Sequence, residues 1–259
     1  MKKNSLIFII TIAFIFILSA CASRPTGPDT PIETKAERLE KRAQADTLKR
    51  DYSSATKSAS GSLRLFALLD DQQGQLRLHL NLTRLYLLQN QRDKAQRHLA
   101  KAKSLNQELN VAEKKYQIHL LSGKLNNNRV EFEQARDTAN TSIEQAVAET
   151  YLQNHVQAHQ LISTIQPASP AEEDDYAFVQ LHYARFADDS DSAKSALILY
   201  KKNENTVGIS DSLYILAIIA KKQGRNVQAQ QYLQRALEVN VAMGDKKRIE
   251  ATLKALESQ

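Results

Sequence analysis

Between Gln75 and Asn106 apolar residues recur at helical spacing in two runs, one on each side of a polar turn. Leu76, Leu78, Leu80, Leu82, Leu85, Tyr86 and Leu88 crowd the first run, and Ala95, Leu99, Ala102 and Leu105 follow at three- and four-residue steps on the second. The intervening Asn90-Gln91-Arg92-Asp93 is polar and suited to capping a helix start. Small residues on the second run permit close approach to the first. The pattern predicts an antiparallel helix pair.

The rest of the chain varies this plan. Glu33 to Ala59 predicts one helix, with Ala36, Leu39, Ala43, Leu48, Tyr52, Ala55 and Ala59 on its apolar face and Glu37, Arg38, Glu40, Lys41 and Arg42 opposite. Leu63 to Leu69 predicts a short helix bounded by Gly61 and Gly74. Residues 108–122 predict a helix carrying Val111, Tyr116, Ile118, Leu120 and Leu121 and ended by Gly123, after which Asn126-Asn127-Asn128 turns into an irregular segment at 129–139. Further pairs are predicted over 141–166, 172–202 and 210–240, and Asp245 to Leu256 is a last helix able to cap an open stack. Ala158, Ala193 and Ala229 fall 35 and 36 residues apart, and Ala95 lies 63 before Ala158. Beyond residue 21, glycine and proline are expected only in a proline-rich stretch at 22–32 or at turns, never inside a helix. No stretch sustains period-two alternation, so strands are not required. The fold class is all-α.

The pair at 75–106 resembles a tetratricopeptide repeat. Leu82, Thr83, Tyr86, Asn90, Ala95, Leu99 and Ala102 occupy its large, small, aromatic and turn positions, within a period of about 34 residues. Leu213, Leu216, Ala217, Gly224, Ala229, Leu233 and Ala236 make a second match. Asn90 stands where glycine is usual, which a residue tolerant of left-handed backbone can manage, and Gln107 replaces the closing proline. The resemblance implies a tetratricopeptide-like helical-hairpin solenoid over residues 33–259. In that register Arg77, Asn81, Arg84, Phe178, His182, Arg185, Tyr214, Ile218 and Lys221 face the concave groove, a mixture of arginine and aromatic side chains suited to protein or peptide partners.

The N-terminus carries a different signal. Met1 to Ser5 is a basic segment and Leu6 to Leu18 an apolar run of 13 residues broken only by Thr11. This fits a signal-peptide core and falls short of the ~20 residues that span a bilayer. Leu18-Ser19-Ala20-Cys21 then resembles the cleavage box of bacterial lipoproteins. The resemblance implies removal of residues 1–20 and acylation of Cys21, the only cysteine in the chain. Several acyl chains exceed the marginal anchoring given by one. Ala22 and Ser23 follow in place of the aspartate that marks inner-membrane retention, which implies the periplasmic face of the outer membrane. Residues 22–32, with three of the five prolines, read as an extended tether.

Cleavage would take away Lys2 and Lys3 and leave 239 residues with a formal charge of +4. That mild charge, without basic clusters interleaved with aromatics, does not argue for nucleic acid. His155 and His159 share a helix face at i, i+4, but the glutamate of a zinc-protease helix is absent and no third ligand is evident. The run Glu172-Glu173-Asp174-Asp175 reads as a helix start, and Asp188 to Ser192 as a capping turn rather than a calcium loop. No nucleophile elbow, cysteine nucleophile or phosphate-cradling glycine loop is present beyond Cys21. The expectation is a lipid-anchored scaffold without catalytic residues, metal or cofactor, whose partners are envelope proteins. Its length and its five to six helix pairs resemble the pilotins of type IV pilus secretins. An adaptor for peptidoglycan enzymes or β-barrel assembly, or a metal-dependent enzyme built on His155 and His159, is the alternative.

Overall fold

Thirteen α-helices and no strand make up the described part of the protein, residues 30–257 of a computed structural model. The expected signal peptide, Cys21 and most of the expected tether lie outside those residues. The helices are α1 (Pro31–Leu48), α2 (Tyr52–Leu68), α3 (Gln72–Leu88), α4 (Arg92–Leu109), α5 (Lys115–Asn126), α6 (Arg129–Asp137), α7 (Ser142–Tyr151), α8 (His155–Ile162), α9 (Pro170–Ala187), α10 (Ser190–Lys202), α11 (Thr206–Lys222), α12 (Asn226–Met243) and α13 (Lys246–Glu257). Each odd helix pairs with the next even one, giving six hairpins and a terminal helix. The fold is a tetratricopeptide-like helical-hairpin solenoid.

Local chemistry explains most boundaries. Asp51, Asp71, Thr141, Ser169 and Asn205 each accept a first-turn backbone N–H at the start of their helices. At the start of α9, Ser169 accepts from the Glu172 amide and Glu172 accepts from the Ala168 amide at 2.7 Å, with Pro170 as the first helical residue. The acidic run therefore opens a helix, as expected, and Asp189 caps α10 through the Asp191 amide and the Ser192 hydroxyl. Turns close on left-handed residues, among them Asn90, Asn110, Asn127 and Gly224.

Several boundaries differ from the sequence expectation. The helix expected over 33–59 begins at Pro31, capped by Thr30, and breaks at Arg50, whose φ is +60°. Asp51 restarts the chain by accepting from the Ser54 amide at 3.0 Å, so the expected short helix at 63–69 is the end of α2. The helix expected over 108–122 is interrupted at Asn110 (φ +49°) and by a 3₁₀ turn at Ala112–Lys114, and α5 then runs through Gly123 to Asn126.

Nor are glycines confined to turns. Gly61, Gly74, Gly123 and Gly208 lie inside helices, because a neighbouring side chain occupies the space of a Cβ. A Cβ on Gly74 would fall 2.6 Å from the Phe66 ring, and one on Gly123 at the same distance from Phe132. Close approach of helices outweighs the helix-propensity cost of glycine.

The core runs along the stack as a series of clusters, each spanning neighbouring hairpins or helices. Ala36, Ala43, Ala55, Ala59, Phe66, Leu78, Leu82 and Leu85 join the first hairpin to α3. Leu76, Leu80, Ala95, Leu99, Ala102, Ile118, Leu121 and Leu125 join α3 and α4 to α5. Each hairpin thus buries its second face on the next, which is the reason for repetition. Odd helices also touch one another across the stack, α3 on α5, α7 on α9 and α9 on α11. Helices that meet their next-but-one neighbours lie on the inside of the curve, so the odd helices line the concave face.

Candidate binding groove

A half-buried carboxylate, Asp175, lies near the start of α9. It keeps part of its surface open to solvent while protein surrounds it on nearly every side. Burial pushes its carboxyl up, Arg84 of α3 and Lys124 of α5 pull it back down, and Asp174 and Glu144 add to the rise. Arg84, Lys124 and Asp175 belong to three different odd helices, so residues 91 positions apart in the chain act on one another across the groove. Lys124 Nζ also lies 4.9 Å from the centroid of the Tyr151 ring. Tyr116, buried in α5, feels Asp175, Glu144 and Arg84 as well, and burial raises its phenol first of all.

The other residues expected to face the groove are placed differently from one another. Arg77 turns back to the first hairpin, 3.4 Å from Glu40 and over the Phe66 ring. Asn81 and Tyr214 are half-buried, and Ile218 packs on the core shared by α9 to α12. Arg84, Arg185 and Lys221 are exposed. Phe178 and His182 enter an aromatic run between hairpins: Phe132 stacks on Tyr151 at 4.8 Å, Tyr151 on Phe178 at 5.3 Å, and His182 lies 4.4 Å from Phe178 and 6.1 Å from His155. The groove therefore presents Arg84, Lys124 and Asp175 as its charged centre. Lys124 and Asp175 were missed from the sequence because a helical register places residues on a face but does not say which faces meet across a superhelix.

His155 and His159 do not converge on a common point. His155 lies against His182 and Phe186, and His159 stacks on Tyr183 at 3.9 Å. Among the described residues no group of three or more His, Cys, Asp or Glu side chains is arranged to hold a metal ion. No described helix is long and apolar enough to cross a membrane.

Two half-buried histidines make stability depend on pH. Burial, then the neighbouring His98 and Lys101, lowers His79 to about 4, and burial, then His155 and Arg185, lowers His182 to about 4. The unfolded chain takes up protons below about pH 6.5 while the folded chain does not, so stability falls as pH drops from about 6.5 towards 4. Asp175, raised in the folded state, acts in the opposite sense, gaining stability as the pH falls through its raised value. We expect the free energy of unfolding to be lower at pH 5 than at pH 7.5 by about 1–2 kcal/mol after allowing for solvent screening, read as a lower urea midpoint. The drop should shrink in a His79→Gln, His182→Gln double variant, and an unchanged drop would contradict the assignment.

The fold has counterparts among solved structures. The apo form of RapI aligns at a TM-score of 0.52 with 14% identity, covering 94% of this chain and 93% of that one. PilW, a type IV pilus biogenesis factor, aligns at 0.44 with 19% identity over 84% of this chain and 98% of that one. A tetratricopeptide repeat protein from Parabacteroides merdae ATCC 43184 aligns at 0.36 with 15% identity over 86% and 99%. No protein-family model matches the chain, and no curated protein sequence matches it.

Proposed function

We propose that the chain is a scaffold lipoprotein that binds segments of other envelope proteins along its concave face and is held by acyl groups on Cys21 at the periplasmic face of the outer membrane. The observation that supports the binding half is that Arg84 and Lys124, from α3 and α5, both act electrostatically on the half-buried Asp175 of α9. Two cations, a partly desolvated carboxylate and the adjoining Tyr151 ring can orient an extended segment without any catalytic group. The anchoring half rests on Leu18-Ser19-Ala20-Cys21 and on Ala22-Ser23 after it. Among envelope assemblies a type IV pilus secretin is the partner put first. Its support is the resemblance in length and number of hairpins to secretin pilotins.

Each half has its own test. Radiolabelled palmitate fed to growing cells should enter the protein and be absent from a Cys21→Ser variant, and failure to label would end the anchoring half. Affinity capture from detergent-solubilised envelopes should recover secretin. An Arg84→Glu, Lys124→Glu variant with unchanged circular dichroism should recover about tenfold less or lower still. Equal recovery by the variant would remove the groove from the proposal, and capture of a wall enzyme or barrel-assembly subunit in place of secretin would redirect it.

A further inference from the structure

In a stack of antiparallel pairs, every turn from an odd helix into its even partner falls on the same edge. On this edge Leu48, Leu88, Val130, Val156, Phe186 and Val227 are all exposed, Phe186 by 60% and Val227 by 73%. One large apolar side chain thus stands beside each of the six turns. The opposite edge shows Ile32, Leu68 and Val241, with no such regularity. Leu48 and Leu88 close their helices, Val130 and Val156 are second residues of theirs, and Phe186 and Val227 sit one residue inside. Leu48 and Leu88, expected on the apolar faces of their helices, are thus exposed where those helices end.

Some charges on the same edge run against helix electrostatics. Arg92 and Arg129 are the first residues of α4 and α6 and Arg225 is the N-cap of α12, while Glu131 and Asp191 stand in the first turns of α6 and α10. A helix start carries partial positive charge and favours anions, so basic residues repeated there cost stability. On this edge Asp51, Asn128 and Asp189 cap α2, α6 and α10, but at Gln91, Asn154 and Arg225 no side chain caps the helix; on the opposite edge α1, α3, α7, α9 and α11 are capped by side-chain oxygens and α5 is not. Of the acidic residues nearby, Asp51 and Asp189 accept from their own helix starts and Asp188 pairs with Lys222, while Glu133 pairs with Arg129 itself at 3.0 Å. Asp93 stands in the first turn of α4. Lys49, Arg92 and Arg185 are exposed and enter none of the described ion pairs.

Arg92 and Arg225 at uncapped helix starts, with Lys49 and Arg185 on the same edge beside exposed apolar side chains, point to binding. We infer that this edge docks on the surface of a membrane containing anionic phospholipid, with the basic side chains at the phosphates and Phe186, Val227 and their counterparts inserted among the headgroups. A protein partner would be met by a packed apolar centre. Here single side chains are set apart by whole hairpins, an arrangement that a fluid headgroup layer accommodates and a rigid surface does not. The inference depends neither on acylation of Cys21 nor on the concave groove.

The test uses residues 22–259, which lack any acyl group and the apolar N-terminal run while keeping every described helix and its packing partners. Flotation is run with vesicles of phosphatidylcholine alone and with added phosphatidylglycerol. Binding is expected only in the second case and should weaken with salt. Phe186→Ser with Val227→Ser should lower partitioning about tenfold or more. Arg92→Glu with Arg225→Glu should abolish it while raising the melting temperature, because the replacement carboxylates suit the helix starts. A control variant, Ile198→Ser on the side of α10, should bind as the parent does. Absence of binding to phosphatidylglycerol vesicles, or binding indifferent to both double variants, overturns the inference. So does a result in which the same variants lose only a captured envelope protein, since the edge would then be a protein interface. The groove variant Asp175→Asn, near the start of α9 and so at the opposite edge, should leave vesicle binding unchanged, so the two proposals fail separately.

Discussion

Gly208→Ala is expected to destabilise the protein by about 1–3 kcal/mol, although alanine is the better helix former by about 1 kcal/mol. Gly208 is the third residue of α11, its N–H donates to the Asn205 side chain at 2.8 Å, and the buried Tyr200 ring lies over its Cα. An added Cβ would overlap the ring at Cγ, its root, so the clash is not relieved by turning the end of a side chain. Tyr200 is itself packed in the core that joins α9 to α12. At about 2–4 °C per kcal/mol for a chain of this size, the melting temperature should fall by several degrees. Coupling is the sharper measurement. Tyr200→Leu should make Gly208→Ala markedly less harmful in a double-mutant cycle, and additive effects would show that the ring is not the cause. The same device recurs at Phe66 and Gly74, also eight residues apart, with Asp71 in the place of Asn205, so Gly74→Ala should behave alike.

Asn240→Leu is expected to cost about 2–4 kcal/mol and to loosen the end of the stack. The Asn240 side chain is fully buried: its Oδ1 accepts from the Ser210 hydroxyl at 2.6 Å, and its Nδ2 donates to Thr252 Oγ1 at 3.0 Å. It therefore ties α12 to α11 on one side and to α13 on the other. Leucine is close in volume but leaves the Ser210 and Thr252 hydroxyls without that partner in a dry site. Apart from this network, α13 is fixed by its packing on α12 and by the Arg248–Asp211 ion pair. Hydrogen exchange should thus speed up first in Lys246–Glu257 and much less in α3 or α4. Uniform acceleration along the chain would mean that the stack unfolds as one unit and that Asn240 has no special hold on its end.

Much of the architecture was legible as pattern. The alternation of large and small apolar residues at three- and four-residue steps specifies helices that pack closely, and its recurrence every 35 or so residues specifies a stack. Ala95, Ala102, Ala158, Ala193, Ala229 and Ala236 are all buried, as that reading requires. Asn90 does adopt the left-handed turn conformation, with φ +56°. The helices before Gly74 were read less well. The capping oxygen of Asp51 outweighed an apolar stripe that ran unbroken through it, and Gly61 reads as a terminator only until the Leu39 side chain is seen 3.2 Å from where its Cβ would be.

What the sequence determined by itself was whatever depends on near neighbours along the chain: helical periodicity, capping, the repeat and hence the all-helical hairpin stack. Only the tertiary structure decided what depends on superhelical curvature. It brought Arg84, Lys124 and Asp175 to one groove, drew Phe178 and His182 into a stack between hairpins, and set six exposed apolar residues along a single edge. The physical reason is that a small rotation from each hairpin to the next, fixed by how side chains interlock, accumulates along the solenoid until residues remote in the chain face each other.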